Sequence, residues 1–476
     1  MIQIPVLRLG KPYSSLDKVQ LVHHVTGEPI AEVSQLSGFG LDKDLSRMGQ
    51  ARKELSKLSS KEIFEKYRAA ADHFVHSSLP IGDSEQSFDD YIRCLSSTTG
   101  SPMVFCKMNA AKVEYVLRNV EEILAGLTRG LDMSILDKGY SIQNGRMQAF
   151  YPCTDAFGAI LPSNSPGVHA LWIPTLALKT ALVLKPGREE PWTPFRVLQA
   201  FIKAGLPPTA MSYFPTDHAG AGKILQSCGR SMLFGDSNTT DPYKNDHRVE
   251  LHGPGFSKVI IGQDQVEHWQ KYIDPIVESI AANGGRSCIN VSAVWTPKYG
   301  KEIAHALAER LAKIEARAWD DPEARLSAFA KPEVAEAISN MVEQGLQTSG
   351  ATDVTQQIRG TSRLVKKDRC AWILPTIVHC QSYTHPLANK EFLFPYASVV
   401  ECPQNEILKS IGPTLAAMVL TEDNELIQSM MDSAHIERLN IGPIPTTRLT
   451  WDQPHEGNLF THLYRQRSLQ RSLQST

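Results

Sequence analysis

Asn283-Gly284-Gly285-Arg286-Ser287-Cys288-Ile289-Asn290 sets one cysteine directly behind a run that should end a helix. Upstream, Val266, Trp269, Ile273, Ile276, Val277 and Ile280 recur at helical spacing as far as Ala282, and Asn-Gly-Gly is a stop signal. A thiol in such a turn is open to a ligand and ringed by backbone N–H groups, which is the setting covalent catalysis by cysteine needs. Most free cysteines are inert buried packing. The decision therefore falls to the segments on either side.

Those segments have an αβ rhythm. Ala181-Leu182-Val183-Leu184, Met232-Leu233-Phe234 and Val259-Ile260-Ile261 read as short buried strands before the cysteine. Thr193-Pro194 should open a helix that Gly205 closes. Beyond Cys288 come a strand at Val291 to Trp295, a helix from Lys301 to about Ala316, and strands at Ala397 to Val400 and Leu415 to Leu420. Strands alternating with helices of this length imply parallel, doubly wound sheets, hence an α/β fold of two domains that meet near residues 252–262. Towards the N-terminus, Val25-Thr26-Gly27-Glu28-Pro29 reads as a hairpin turn, and Leu41–His76 and Ala111–Leu127 read as helical. Residues 138–153 read as a hairpin. The tail has a helix-like, basic pattern from Leu459 to Leu473, with no recognisable strand.

Composition narrows the function. The chain has 476 residues, 42% hydrophobic and 21% charged, with a net charge of -2, as in ordinary soluble globular proteins of more than one domain. No basic face points to nucleic acid, and no apolar run approaches membrane-spanning length. The first residues lack a charged segment followed by an apolar one, so a cytoplasmic location is expected. Eight scattered cysteines without a CxxC pair argue against a disulfide framework and against a zinc site.

Five motifs occur in order: Pro162-Ser163-Asn164-Ser165-Pro166, Lys185-Pro186-Gly187, Glu250-Leu251-His252-Gly253, Gly285-Arg286-Ser287-Cys288 and Glu391-Phe392-Leu393-Phe394-Pro395. In order and spacing, over roughly residues 20 to 445, this resembles the aldehyde dehydrogenase superfamily. The resemblance implies a variant Rossmann cofactor domain over 1–252 with an oligomerisation hairpin near 138–153, a catalytic domain over 253–440, and a tail over 441–476. It implies Cys288 as nucleophile, the Asn164 amide as an oxyanion donor, and Glu250 as the general base that hydrolyses a thioester. Chemically, the activity implied is oxidation of an aldehyde to a carboxylic acid through a cysteine thiohemiacetal. CoA-acylating members, which often lack the glutamate matched by Glu250, are the neighbouring alternative. A non-catalytic protein that kept the fold is the third.

NADP or NAD is the implied cofactor, although no GxGxxG is present and Gly220-Ala221-Gly222-Lys223 continues with Ile224 rather than the Ser or Thr of a P-loop. By resemblance Lys185 meets the adenosine ribose and Glu391 the nicotinamide ribose. Arg188 stands where many NAD-dependent members have a glutamate, and a guanidinium suits a 2′-phosphate, so NADP should serve at least as well as NAD. Gly235 and Ser237 match the segment that meets the pyrophosphate, whereas Asp236 brings an unexpected negative charge there. A one-residue shift of Phe394 should restore the aromatic that Leu393 lacks. The substrate is expected to be a small, hydrophobic aldehyde and the assembly a homodimer. Asp452, His455 and Glu456 are read as a loop satisfying its own backbone.

Overall fold

The computed structural model describes residues 1–164 and 166–472. Two seven-stranded sheets dominate it. The first contains β1 (Val6–Arg8), β2 (Lys11–Tyr13), β3 (Ala156–Ile160), β4 (Ala181–Lys185), β5 (Met211–Tyr213), β6 (Arg230–Phe234) and β7 (Val249–His252), in the order β7-β6-β3-β4-β5-β1-β2. The five strands from β7 to β5 are parallel, and β1 is antiparallel to both of its neighbours, β5 and β2.

Both faces of this sheet are covered, as alternate residues along the strands require. Phe157, Ala159, Leu182 and Leu184 pack with the helices Ser60–His76, Met103–Arg118 and Trp192–Lys203. Ala156, Ile160, Ala181 and Val183 turn to the other face, against Gly38–Leu45, Met48–Ser56 and His218–Ser227. The last of these absorbs Gly220-Ala221-Gly222-Lys223 as plain helix.

The second sheet contains β8 (Lys258–Ile261), β9 (Ala293–Thr296), β10 (Ala351–Asp353), β11 (Thr376–Cys380), β12 (Tyr396–Glu401), β13 (Thr414–Leu420) and β14 (Ile436–Ile441), in the order β10-β11-β12-β9-β8-β13-β14. Six strands are parallel and β10 is antiparallel. The chain passes from one sheet to the other between His252 and Lys258.

Several elements differ from the sequence expectation. The helix before the cysteine is in two parts: a 3₁₀ segment Val266–Tyr272 and an α-helix Ile273–Ala281, whose first turn contains Pro275. The helix expected from Thr193 starts at Trp192, because buried Glu190 accepts from both the Thr193 N–H and its hydroxyl and so does the capping. The helix after β9 is Gly300–Leu311, shorter than read.

The tail differs most. Only Leu459–Leu463 is helical; Tyr464–Arg467 is a strand antiparallel to Arg146–Pro152 of the Tyr140–Gln143/Arg146–Pro152 hairpin. Apolar Leu459, Phe460 and Leu463 set the helical spacing, but the free hairpin edge satisfies the backbone of the next four residues instead. Leu473, where the helical reading ended, lies outside the described residues. No helix among those residues is long and apolar enough to cross a membrane.

Candidate active site

The first sheet reverses its strand order between β3 and β6: the chain runs from β3 to β4 and β5 on one side, then returns to β6 and β7 on the other. Ligands of doubly wound sheets bind outside the carboxyl ends of the strands at such a reversal. Here those ends lead into Pro162-Ser163-Asn164 after β3 and Gly235-Asp236 after β6. All five residues line one cavity of about 430 Å³, together with His252, Cys288, Glu391, Phe392 and Leu393. Four residues far apart in sequence, Asn164, Gly235, Cys288 and Glu391, are thus brought together. Ser165, inside the first motif, lies outside the described residues.

The turn that carries Cys288 is over-determined. Gly285 has φ +67°, and a Cβ there would lie 2.3 Å from the Pro395 nitrogen, so only glycine fits. Gly255 is excluded from carrying a side chain for a similar reason: its Cβ would sit 2.0 Å from the Cys288 carbonyl oxygen. Asn290 accepts from the Ser287 N–H at 2.9 Å and donates to the Ser279 and Ala282 carbonyls at 3.0 Å, tying the turn to the preceding helix. Arg286 is buried beneath it, donating to the Ser327 and Ala328 carbonyls with its guanidinium 4.2 Å from the Phe329 ring. The Asn164 amide reaches across from the first sheet and donates to the Arg286 carbonyl at 3.2 Å.

Burial pushes the Cys288 thiol well above its ordinary value, and the Glu456 and Glu391 carboxylates add to this. The N–H groups of Cys288 and Ile289 pull the other way. Glu391 accepts from the Gly255 N–H at 3.2 Å and the Phe256 N–H at 2.5 Å. Burial still raises it to about 7, despite those donors and nearby Lys258.

The other expected residues lie further out. Lys185, at the end of β4, is half-buried; burial lowers its pKa, opposed by Glu189 and Asp217. Arg188 is exposed and lines a separate cavity of about 320 Å³ with His23, Lys331 and Arg369. Its neighbour Glu189 pairs with Lys331 at 3.1 Å. Ser237 is exposed at the start of a four-residue helix, and the cavity wall there is Asp236 instead. The charge of Asp236 has a structural use: it caps that helix, accepting from the Thr239 N–H at 2.9 Å. Phe394 does not supply the missing aromatic, because it is 2% exposed in the second core; the ring in the cavity wall is Phe392.

Glu250 is not in the cavity wall with Cys288. Its carboxylate accepts from His252 Nε2 at 2.9 Å and lines an adjoining space of about 40 Å³ with Arg438, Trp451, His455 and Gly457. On its other nitrogen His252 holds Glu456, 204 positions later. Glu456 is therefore not satisfying its own loop, contrary to the sequence reading. Donor atoms of His252, His455 and Glu456 lie within 4.8 Å of one another, but both His252 nitrogens already hold carboxylates.

A second small space, also about 40 Å³, reaches Cys288 between Val168, Leu171, Ile289, Leu449 and Trp451. Lys112 stands in its wall, half-buried, hydrogen-bonded at 3.3 Å to the Asn109 amide oxygen and without an acidic partner among the described residues. His252, Glu456 and Lys112 went unrecognised in sequence. Only the Leu251-His252-Gly253 step, where a bulky imidazole sits beside the glutamate of a quoted motif, carried any signal.

The aldehyde dehydrogenase family model matches residues 12–458. The chain belongs to the aldehyde dehydrogenase family. An N-succinylglutamate 5-semialdehyde dehydrogenase from Vibrio cholerae is 25% identical over 252 residues. That match covers 50% of this chain and 49% of the relative, so the chain spans about half the length of the curated relative it matches. Among solved aldehyde dehydrogenase structures, KauB from Pseudomonas aeruginosa superposes with a TM-score of 0.80 at 16% identity, covering 98% of this chain and 96% of that one. The NADP-dependent glyceraldehyde-3-phosphate dehydrogenase from Bacillus halodurans C-125, complexed with NADP, gives 0.78 at 15% identity with 98% of each chain covered. At these identities the likeness shows the fold: two α/β units of the aldehyde dehydrogenase type.

Proposed function

We propose that this chain oxidises an aldehyde to a carboxylic acid with a nicotinamide cofactor, through a thioester on Cys288. The observation that carries this reading is the single cavity at the sheet's reversal point, in which Asn164, Gly235, Cys288 and Glu391 converge. Its size, its place at the strand ends and the Glu391 carboxylate in its wall fit the nicotinamide end of such a cofactor. Gly235 and Glu391 would hold that end, with Lys185, Arg188 and Ser237 towards the adenosine and phosphates. Bound there, the oxidised nicotinamide supplies a hydride acceptor.

The protein's own part begins when the Cys288 thiol gives its proton to solvent and its sulfur adds to the aldehyde carbon. The carbonyl oxygen becomes an oxyanion, held by the Asn164 amide and the Cys288 N–H. Loss of hydride from that carbon leaves an acyl thioester. Glu250 then takes a proton from water, the hydroxide adds to the acyl carbon, and the C–S bond breaks to free the acid and restore the sulfur.

Because Val168, Leu171, Ile289 and Trp451 line the second approach to Cys288, the aldehyde's stem is apolar. Unpaired Lys112 in the same wall favours an anionic group at its far end. Arg188, exposed and free of an acidic partner of its own among the described residues, supports use of NADP at least as well as NAD. We assign residues 1–252 to cofactor binding, 253–440 to catalysis and 441–476 to a tail, in a cytoplasmic homodimer. The open edges of β14 and Tyr464–Arg467 are its natural contact.

A second reading has one observation in its favour. With Glu250 held by His252, the thioester is passed to a thiol such as coenzyme A rather than to water. Short, long, aromatic and ω-carboxylated aldehydes, each with NAD+ or NADP+ and with or without coenzyme A, separate the two. Reduced nicotinamide without coenzyme A, abolished by Cys288→Ala, is the outcome expected for hydrolysis. Signal only with coenzyme A assigns acyl transfer, and none with any aldehyde overturns both.

A further inference from the structure

His252 joins two carboxylates from distant parts of the chain. Nε2 meets Glu250 Oε1 at 2.9 Å, and Nδ1 meets Glu456 of the tail. The ring is buried, stacked on Phe234 with centroids 4.4 Å apart, and 6.3 Å from the ring of His455 beyond. Burial alone would lower the His252 pKa, but Glu456 and Glu250 outweigh it and raise the group to about 10. At neutral pH the ring is therefore an imidazolium that donates from both nitrogens. Burial lowers His455 to about 4, so the stacked neighbour is neutral.

The bridge has a steric consequence. Glu250 Oε2 lies against Gly457, where a Cβ would come within 2.5 Å of it, and its carboxylate faces the small space beside Arg438 and Trp451. Cys288 opens onto two other spaces, and His252 forms part of the wall of the larger one. Glu250 lines neither of the spaces onto which Cys288 opens, although its own space shares Leu171, Leu449, Trp451 and His455 with the smaller of them.

We propose that His252 is a positioning residue that parks Glu250 away from the Cys288 thioester, with Glu456 of the tail as its second anchor, so that the acyl-enzyme persists until this bridge opens. The inference rests on the aldehyde-oxidising reading above. It makes deacylation, not hydride loss, the slow step, and it ties that step to docking of a segment 204 positions away. Removing the imidazolium frees Glu250 to reach water at the acyl carbon; removing Glu456 loosens the same hold from the other end.

The test mixes the full-length protein rapidly with an oxidisable aldehyde and NAD(P)+, following reduced nicotinamide and, after acid quench, the mass of the chain. In the wild type a burst of about one reduced nicotinamide per chain should precede slow turnover. An acyl adduct should appear with the burst and be absent in Cys288→Ala. In His252→Gln and in Glu456→Gln the adduct should decay about tenfold faster or more, within what a released general base supplies. The rise should appear in kcat, with KM for the aldehyde little changed.

The groups facing His252 or its partners are Glu250, Glu456, His455, His462, Arg438 and Arg230, and Glu456 also faces Cys288 and Glu391. With two carboxylates holding its proton, wild-type deacylation should stay slow through neutral pH and rise only towards about 10. In Glu456→Gln, with one carboxylate gone, that rise should move to lower pH. Thermal melts of both variants check that they fold, and Glu456→Gln keeps a hydrogen-bonding group should His252→Gln not. Steady turnover without adduct in the wild type, or variants that deacylate no faster, overturns the proposal while leaving aldehyde oxidation intact. Absence of both reduced nicotinamide and adduct with every aldehyde overturns the underlying reading and this one with it.

Discussion

Cys288 is held in a form that is poor for nucleophilic attack until something lowers its pKa, because burial and two carboxylates favour the thiol. Alkylation by iodoacetamide should therefore be slow at neutral pH and still rise with pH beyond the ordinary thiol value of 9.0. A plateau near neutrality would contradict that environment. Asn164→Ala should lower kcat by roughly 3–4 kcal/mol of transition-state stabilisation while leaving cofactor binding in place. Lys112→Met should raise KM about tenfold for an aldehyde with a distal carboxylate and not for a neutral one. Equal effects on both would mean that Lys112 serves packing alone. Arg188→Glu tests the cofactor preference: the NADP/NAD ratio of kcat/KM should fall, and an unchanged ratio would remove Arg188 from that role. At this scale Cys288, Asn164 and Glu391, which converge on one cavity and to which the proposal gives its roles, were legible, since each lies in a short motif whose members are neighbours. His252 and Lys112 were not, because a side chain's partner across 204 positions, or its lack of one, leaves no local pattern.

The turn between Ala281 and β9 depends on one side chain more than any other. Asn290→Ala would leave the Ser279 and Ala282 carbonyls and the Ser287 N–H without their partner, costing about 1–3 kcal/mol or more. A lower melting temperature together with a fall in activity is expected, since Cys288 is two residues away. Sequence periodicity located this helix and its stop, yet missed that its first half is 3₁₀. The two forms bury similar faces over so short a stretch, and hydrogen-bond registry, not apolar spacing, distinguishes them. In the tail, Tyr464–Arg467 lost its helical expectation for a similar reason. Tyr464 is buried and its hydroxyl donates to the Leu178 carbonyl at 2.8 Å, an anchor that local spacing does not encode.

Across the whole molecule, the His252 bridge fastens the tail to the first sheet and should leave a trace in stability. A histidine whose folded pKa is raised to about 10 stabilises the native state fully below its unfolded value of about 6.5, and this contribution is lost as pH rises towards 10. The urea midpoint of the wild type should accordingly fall between pH 7 and pH 10 more than that of His252→Gln, by equilibrium unfolding followed in tryptophan fluorescence. Parallel curves would mean that the bridge contributes nothing to folding. In sedimentation the chain should run as a dimer through the edges left open by β14 and Tyr464–Arg467, and breaking Tyr464–Arg467 with proline should yield monomers.

The sequence by itself determined the class of fold and the motifs in which the proposed reacting groups stand. Strand and helix lengths, alternation of apolar residues and five ordered motifs are all carried by residues close together in the chain, where pattern and chemistry coincide. Tertiary structure alone decided which of those groups meet. Packing of the second sheet's loops against the reversal point of the first joined Asn164, Gly235, Cys288 and Glu391 in one cavity and left Arg188 and Ser237 outside it. Packing of the tail against β7 gave the buried His252 two carboxylates within hydrogen-bond reach, Glu250 two residues before it and Glu456 204 positions later, and nothing local to His252 encodes that second partner.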